Sequence, residues 1–183
     1  MGASRIGSYE IIEKIGEGGM GVVYRAVDTK QERTVAIKTL KDNVDSSSET
    51  FIRFKKEAEL LETLNHPNVL RFIEFIEQDD RLYIVTEYLE GINLREAVKS
   101  ADIPVDQKVD LMLQVGRALD YVHSRGIVHR DLKPSNVIIV DNNTSAKILD
   151  FGVANLMNLQ KLFTIVKNAV VGSLVYKYPD QSD

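Results

Sequence analysis

The first half of the chain is built from short runs in which apolar and polar residues alternate, a pattern that predicts β-strands. Three runs lie between Tyr9 and Leu40, separated by a glycine-rich stretch and a polar turn, and two more lie between Val69 and Leu89. The segment between these two groups has apolar residues at helical spacing instead: Phe51, Phe54, Ala58, Leu61 and Leu64. The pattern therefore predicts a five-stranded antiparallel sheet with one helix, which a serine of the run at 46–48 would cap.

The second half, after Gly91, changes to helical periodicity. Its clearest apolar stripe predicts one long amphipathic helix that runs to Ser124 and ends at Gly126: Val109, Met112, Val115, Leu119 and Val122. Two short apolar runs on either side of the polar turn at 141–145 predict a small β-hairpin beyond this helix. We therefore expect an α+β fold, with a sheet-rich first part and a mainly helical second part.

Composition and charge narrow the function classes. The 183 residues suit one domain or two small lobes, and 44% hydrophobic with 27% charged residues exclude a disordered or collagen-like chain. A net charge of −4 gives no general reason to expect nucleic acid or an anionic membrane as partner. The sequence has no cysteine for a disulfide, a thiolate metal site or a thiol nucleophile. Since it also has no bilayer-length apolar stretch and no signal-peptide core, we expect a cytoplasmic protein.

A glycine-rich stretch follows the first predicted strand, with Gly16, Gly18 and Gly21 in the spacing G-x-G-x-x-G-x-V. The same spacing occurs in dinucleotide-binding folds, but there the glycines open a helix, whereas here a strand-like run begins at Val22. This context favours a flap whose backbone N–H groups approach phosphate oxygens. On the glycines alone, a phosphate-binding loop and an ordinary hairpin are about equally supported.

Two charged residues lie where apolar residues are expected. Lys38 stands inside a strand-like run, where a lysine is most often a solvated edge residue. Glu57 lies three residues after Phe54 and four before Leu61, on or beside the buried side of the predicted helix. An unpaired carboxylate is costly there, so Glu57 needs a cationic partner. Glu57 is also the partner expected if Lys38 is to be held against nucleotide phosphates.

Two further motifs point to a family. The stretch from His129 to Asn136 reads HRDLKPSN, and the tripeptide DFG at 150–152 begins fourteen residues after Asn136. With the glycine-rich stretch and the run VAIK that ends at Lys38, they stand in the order found in protein kinases. From Tyr9 to about Gln181, the chain thus resembles the catalytic domain of eukaryotic-type serine/threonine protein kinases, with a bacterial character.

The resemblance implies a role for each residue of these motifs. Asp131 would accept or orient the proton of the substrate hydroxyl, and Lys133 would add positive charge near the transferred phosphoryl group. Asn136 and Asp150 would supply oxygen ligands for the Mg²⁺ that accompanies ATP. Because tyrosine-directed relatives usually carry alanine where this chain has Lys133, the substrate would be a serine or threonine of a protein.

The resemblance also implies an ATP-binding site. The residues that would contact the nucleotide are Gly16, Gly18, Gly21, Val23, Ala36, Lys38, Glu87, Leu89 and Ile138. Of these, Val23, Ala36 and Ile138 would sandwich the adenine. The backbone from Glu87 to Leu89, which follows Thr86, would read the edge of the base. Lys38 and Glu57 would also act in catalysis, because they orient the phosphates for transfer.

The implied organisation is a short leader at 1–8, a kinase N-lobe at 9–88 and a partial, mainly helical C-lobe at 89–183 that ends at the activation segment. The N-lobe would hold the five-stranded antiparallel sheet and its helix. Near the end, Tyr178-Pro179-Asp180 stands where the family has alanine-proline-glutamate. Helices that cover the long helix in the family would be missing from this chain.

Two functions stay open at this point. The first is ATP-dependent phosphoryl transfer to serine or threonine of protein substrates. The second is a truncated remnant, catalytically weak or inactive, that binds nucleotide or a partner. Thr164 is the expected site of control by phosphorylation, because it carries the only serine or threonine hydroxyl between 152 and 172. His129 would pack beside Phe151 rather than act as a base.

Overall fold

The structure is a computed structural model that describes residues 5–18, 21–41, 44–45, 47–79, 81–100 and 102–149. The chain forms two compact units. The first unit takes the chain up to Asn65 together with Leu70–Leu89, and the second takes His66–Val69 together with the chain from Glu90 onward. The lobe boundaries expected from the sequence stay a prediction.

The first unit is an antiparallel sheet with one helix. Its strands are β1 (Arg5–Ile6), β2 (Tyr9–Glu17), β3 (Gly21–Asp28), β4 (Arg33–Leu40), β5 (Phe72–Gln78) and β6 (Arg81–Glu87). They lie in the order β1-β2-β3-β4-β6-β5, and every neighbouring pair is antiparallel. Its core contains Tyr9, Ala26, Val35, Ile37 and Val85.

The sheet has six strands, so the prediction of five was wrong. The additional strand is β1, formed by two residues that the sequence placed in the leader, and it pairs with the start of β2 through Ile6 and Tyr9. Gly7 makes the turn with a φ of +54°, and its N–H donates to Gln78 Oε1 at 2.8 Å. Ile6 is buried in the core. Two residues are too few to show an alternating pattern, and sequence reasoning therefore missed this strand.

Helix α1 (Glu49–Glu62) confirms the predicted helix of this unit. Ser48 caps it, since its side-chain oxygen accepts a hydrogen bond from the N–H of Phe51 at 3.2 Å. The buried residues of α1 repeat at helical spacing: Phe54, Glu57, Ala58 and Leu61. They give the helix one face that packs within the first unit, and that face includes an acidic residue.

The second unit combines two helices and a small sheet. The helices are α2 (Leu94–Lys99) and α3 (Val105–His123), and the strands are β7 (Ile92–Asn93), β8 (Val137–Val140) and β9 (Ser145–Ile148). Strands β8 and β9 pair from Val137–Ile148 to Val140–Ser145, which confirms the predicted hairpin. Gly126, with a φ of +71°, follows α3 as expected. Within the described ranges, no helix combines the length and apolar character needed to cross a membrane.

The buried face of α3 differs from the predicted stripe. It consists of Leu111, Val115, Ala118 and Val122. Val109 and Met112, which were expected on it, are 54% and 51% exposed. The helix carries apolar residues on more than one side, and a periodic pattern does not tell which of those sides meets the β8–β9 sheet. The phase of the predicted stripe was therefore partly wrong.

The segment His66–Val69 lies with the second unit although both of its neighbours in sequence lie with the first. Asn68 fixes it, because its amide Nδ2 donates to Gln114 Oε1 at 2.9 Å and to the carbonyl of Ala146 at 2.8 Å. The carbonyl of Asn68 accepts a hydrogen bond from the N–H of Ile148 at 2.9 Å. These bonds join a loop, a helix and a strand that are far apart in the sequence.

Candidate functional site

The register of the first sheet places three predicted nucleotide-contacting residues on one face. Val23 on β3 lies opposite Lys38 on β4, and Ala36 lies two residues before Lys38, on the same side of the strand. All three are half-buried. We call this surface the lysine face. Helix α1 contributes Glu57 to it.

Lys38 and Glu57 form an ion pair on the lysine face. Lys38 Nζ lies 2.6 Å from Glu57 Oε1, and the two side chains are only 22% and 8% exposed. Helix α1 delivers the carboxylate because Glu57 is in phase with its buried residues Phe54 and Leu61. Loss of either partner would leave a poorly solvated charge behind, which is costly. The structure thus brings together the two residues that the sequence indicated as partners, while their role toward a nucleotide stays a prediction.

The three glycines of the glycine-rich stretch have different surroundings. A Cβ on Gly21 would lie 2.1 Å from the carbonyl oxygen of Thr39, whereas a Cβ on Gly18 would meet nothing within 4 Å. A Cβ on Gly16 would make an ordinary contact with Val23 at 3.9 Å. Gly21 is therefore required by the close approach of β4, a cause that sequence reasoning did not consider. Only the open space beside Gly18 agrees with a backbone left bare for a ligand.

The segment 87–89, predicted to read the base edge, begins at the last residue of β6 and is fixed by hydrogen bonds of Glu87. Its N–H donates to the carbonyl of Arg71 at 3.0 Å, and its Oε1 accepts from the N–H of Arg71 at 2.8 Å. The hydroxyl of Thr86 donates to the Glu87 carbonyl at 3.2 Å. The guanidinium of Arg25 lies 5.9 Å from the ring centre of Tyr88, within cation–π range. Sequence reasoning missed Arg71 and Arg25 because only the pairing of the strands brings them here.

In the second unit, Asp131, Lys133 and Asn136 form one hydrogen-bonded cluster. Lys133 Nζ lies 2.6 Å from Asp131 Oδ2. Asn136 Nδ2 donates to the backbone carbonyl of Asp131 at 2.9 Å and to its Oδ2 at 3.3 Å. The 3₁₀ turn Pro134–Asn136 makes this possible, because it folds the chain back toward Asp131. One carboxylate is thus held by a cation and an amide.

The residues before this cluster are also fixed. His129 is 2% exposed, and its Nε2 lies 3.0 Å from the carbonyl oxygen of Leu149, to which it donates because a carbonyl only accepts. The N–H of Asp131 donates to the carbonyl of His129 at 2.8 Å, and Arg130 between them has a φ of +60°. Such a conformation is uncommon for a residue with a side chain. This buried setting agrees with a packing role for His129.

Some predicted site residues stand apart from these clusters or outside the described chain. Ile138 is half-buried on β8, and Leu89 is half-buried at the end of the first unit. Asp150, Phe151 and Thr164 lie outside the described residues. Across the described part of the chain there is no group of three or more histidine and acidic residues that would hold a metal ion by itself.

The donor set around Asn136 fits the predicted magnesium ligand. Nδ2 of Asn136 makes both hydrogen bonds to Asp131, and no residue in the described part of the chain donates to its amide oxygen. Amide and carboxylate oxygens are the ligands that Mg²⁺ prefers. Asn136 is also nearly buried, so its orientation is well determined by its neighbours.

Comparison with known proteins gives consistent matches over this chain. A family model described as protein kinase domain matches residues 9–181. A probable serine/threonine-protein kinase of Clostridium perfringens is 38% identical over 175 residues, and serine/threonine-protein kinase PrkC of Bacillus subtilis is 38% identical over 178. Serine/threonine-protein kinase PknB of Mycobacterium leprae is 33% identical over 179 residues. The alignments cover 95–96% of this chain and 25–28% of the relatives, so the chain spans about a quarter of their length.

Proposed function

Because the chain belongs to the protein kinase domain family, we propose that it transfers the terminal phosphoryl group of ATP to serine or threonine hydroxyls of protein substrates. The relatives at 33–38% identity are named serine/threonine-protein kinases. Lys133, two residues after Asp131, agrees with this substrate class. The substrate of this chain is thus proposed as a protein hydroxyl, and ATP as the donor.

The observation that carries the proposal is the ion pair between Lys38 and Glu57. A strand lysine with no special function would stay solvated, whereas this one is mostly buried and lies 2.6 Å from a carboxylate. The pair fixes a positive charge on the face that also carries Val23 and Ala36. A cation held in one position is suited to stabilise the charge that develops on phosphate oxygens during transfer, because no reorganisation is needed at that moment.

In the second unit, Asp131 is the proposed acceptor of the hydroxyl proton. Lys133 and Asn136 orient its carboxylate. The ammonium group of Lys133 also provides positive charge near the phosphoryl group while it is transferred. Mg²⁺, with Asn136 and Asp150 as proposed ligands, would neutralise charge on the ATP phosphates. The glycines from Gly16 to Gly21 would bind phosphate through backbone N–H groups.

A transfer assay with single variants tests this proposal. The chain is incubated with Mg²⁺, ATP labelled on the terminal phosphate and a mixed protein substrate, and the labelled amino acid is identified after hydrolysis. We expect label on serine or threonine, and a loss of about a hundredfold or more in rate for both Lys38→Met and Asp131→Asn. Lys56→Met removes an exposed lysine from α1 and should leave the rate unchanged.

Binding measured in parallel separates the two functions left open by the sequence. Calorimetry with Mg²⁺ and ATP should show that Lys38→Met weakens binding far less than it slows transfer. If the parent chain binds Mg·ATP but labels no substrate, the remnant that only binds nucleotide is the better description. Equal transfer rates for Lys38→Met and Lys56→Met would contradict the role given to the Lys38–Glu57 pair.

A further inference from the structure

Glu17 stands inside the glycine-rich stretch, between Gly16 and Gly18, and its carboxylate has two lysine partners. Its Oε2 lies 3.0 Å from Nζ of Lys14, and its Oε1 lies 3.0 Å from Nζ of Lys41. The proposed function uses the glycines of this stretch and gives Glu17 no part. We call Glu17 and Lys41 the turn clamp.

The turn clamp connects two strands that are not neighbours. Glu17, the last residue of β2, is paired with Val22 of β3, and Val22 is paired with Thr39 of β4. Lys41 directly follows β4. The ion pair therefore crosses over the first residues of β3, a span of two strand spacings or about 10 Å that only a long side chain bridges.

The turn clamp adds to the sheet's hydrogen-bond ladder, which already pairs Gly21 of β3 with Leu40 of β4. The turn itself is closed by the N–H of Gly18, which donates to the carbonyl of Gly21 at 2.9 Å. If the ends of β2 and β3 move together away from β4, that bond is retained because it joins the two of them, whereas the Glu17–Lys41 pair is broken. The pair between Glu17 and Lys14 also survives such a movement, since both residues lie on β2.

Both lysines favour the ionised form of the Glu17 carboxylate. The hydrogen bonds and charges of Lys14 and Lys41 lower the pKa of Glu17, and Glu17 raises the pKa of Lys14. The side chains are about half exposed, at 44% for Lys41 and 46% for Glu17, so the pair is weakened by solvent and salt. The stabilisation provided by the Glu17–Lys41 pair is therefore expected to be modest, and it should disappear at high ionic strength.

We propose that Glu17 is a positioning residue that, through Lys41, holds the end of strand β2 in place relative to strand β4 and so slows the release of nucleotide bound at the glycines beside it. This inference rests on the proposed function, since it requires that the turn lies over ATP. It also predicts that neutralising Glu17 accelerates nucleotide release, which is opposite to the effect expected from simple electrostatics. A carboxylate near phosphates repels them, so its neutralisation alone would slow release, whereas loss of the turn clamp accelerates release.

The release rate of a fluorescent ATP analogue, labelled on the ribose and bound with Mg²⁺, measures this effect. A stopped-flow chase with excess unlabelled ATP gives the rate for the whole chain. Glu17→Gln and Lys41→Met should each raise it about two- to fivefold at low salt, and the double variant should be no faster than either. The charge exchange Glu17→Lys with Lys41→Glu should restore the parent rate, and the parent and Glu17→Gln should release the analogue at the same rate in about 1 M salt.

Two control variants remove comparable ion pairs. Lys14→Met removes only the pair within β2, and Glu13→Gln removes the pair of Glu13 with Arg25, also 3.0 Å long and also on this sheet. Both should release the analogue at the parent rate. Slower release from Glu17→Gln, or the same rate in Glu17→Gln and Glu13→Gln, would overturn the turn clamp while leaving the proposed function intact. A parent chain that does not bind the analogue would instead refute the nucleotide site on which both rest.

Discussion

Alanine at Gly21 is expected to destabilise the first unit, whereas alanine at Gly18, three residues earlier in the same motif, is not. A Cβ at position 21 would lie 2.1 Å from the carbonyl oxygen of Thr39, 3.0 Å from its carbonyl carbon and 3.4 Å from Cα of Leu40. These atoms belong to the backbone of β4, and they do not move aside as a flexible side chain would. Strands β3 and β4 must therefore separate by roughly 1 Å at the Gly21–Leu40 pair before the contact is tolerable.

The size of the effect follows from two contributions. Forcing extra volume into packed structure costs about 1–3 kcal/mol, and weakening the ladder bonds at the end of β3 adds about 0.5–1.5 kcal/mol. Alanine also restricts the unfolded chain, which stabilises both variants by about 0.4–1 kcal/mol. Since that last contribution is common to both, the difference in free energy of unfolding between Gly18→Ala and Gly21→Ala should be about 1.5–4.5 kcal/mol.

Urea unfolding measures this difference. The chain has no tryptophan, so tyrosine fluorescence and far-ultraviolet circular dichroism report the transition, and Tyr9, Tyr24 and Tyr83 lie on strands of the sheet. Nucleotide binding is measured on the same samples, and Gly18→Ala should weaken it while the free energy of unfolding stays near that of the parent. Equal unfolding free energies for the two variants would refute the argument that strand packing requires Gly21.

Gly116→Ala in α3 is expected to raise the free energy of unfolding by about 0.5–1 kcal/mol, because a Cβ there meets nothing within 4 Å and alanine is the better helix former. A lower urea midpoint for this variant would contradict that expectation. Burial and the charge of Arg125 hold the pKa of His66 below its ordinary value of 6.5. The stability contributed by neutral His66 is therefore present above about pH 6.5 and lost as the pH falls below that value. The urea midpoint of the parent chain should drop between neutral and mildly acidic pH. His66→Asn, which keeps an acceptor for the N–H of Asn68, should reduce that drop, and an unchanged pH profile would show that His66 has no part in it.

The sequence predicted those parts of the fold whose pattern extends over several residues. Helix α1 and the β8–β9 hairpin were identified because apolar periodicity and turn residues agreed over a long enough stretch. Strand β1 was missed because a strand of two residues is too short to show an alternating pattern. The exposed side of α3 was mistaken for part of its buried side, because Val109 and Met112 are as apolar as the residues that meet the sheet.

The candidate site was predictable where chemistry is encoded in adjacent residues. Lys38, Asp131 and Asn136 stand in motifs whose letters alone indicate them, and the odd position of Glu57 on a buried helical face indicated its partner. The contacts of Arg71 with Glu87 and of Lys41 with Glu17 could not be predicted. They depend on strand register, which short sequence patterns do not specify. The structural requirement for glycine at position 21 could not be predicted either, because the atom that excludes a side chain there belongs to Thr39, eighteen positions away.

The placement of His66–Val69 has a consequence for how this chain can be divided into fragments. A piece that begins at Glu90 looks like a natural half in sequence, yet it lacks Asn68. The carbonyl of Ala146 and the buried N–H of Ile148 would lose their partners, at about 1–3 kcal/mol for each unsatisfied group. Such a half should be restored by a short peptide carrying residues 66–69. Modularity in this protein thus follows spatial contact, and its two modules are interleaved along the chain.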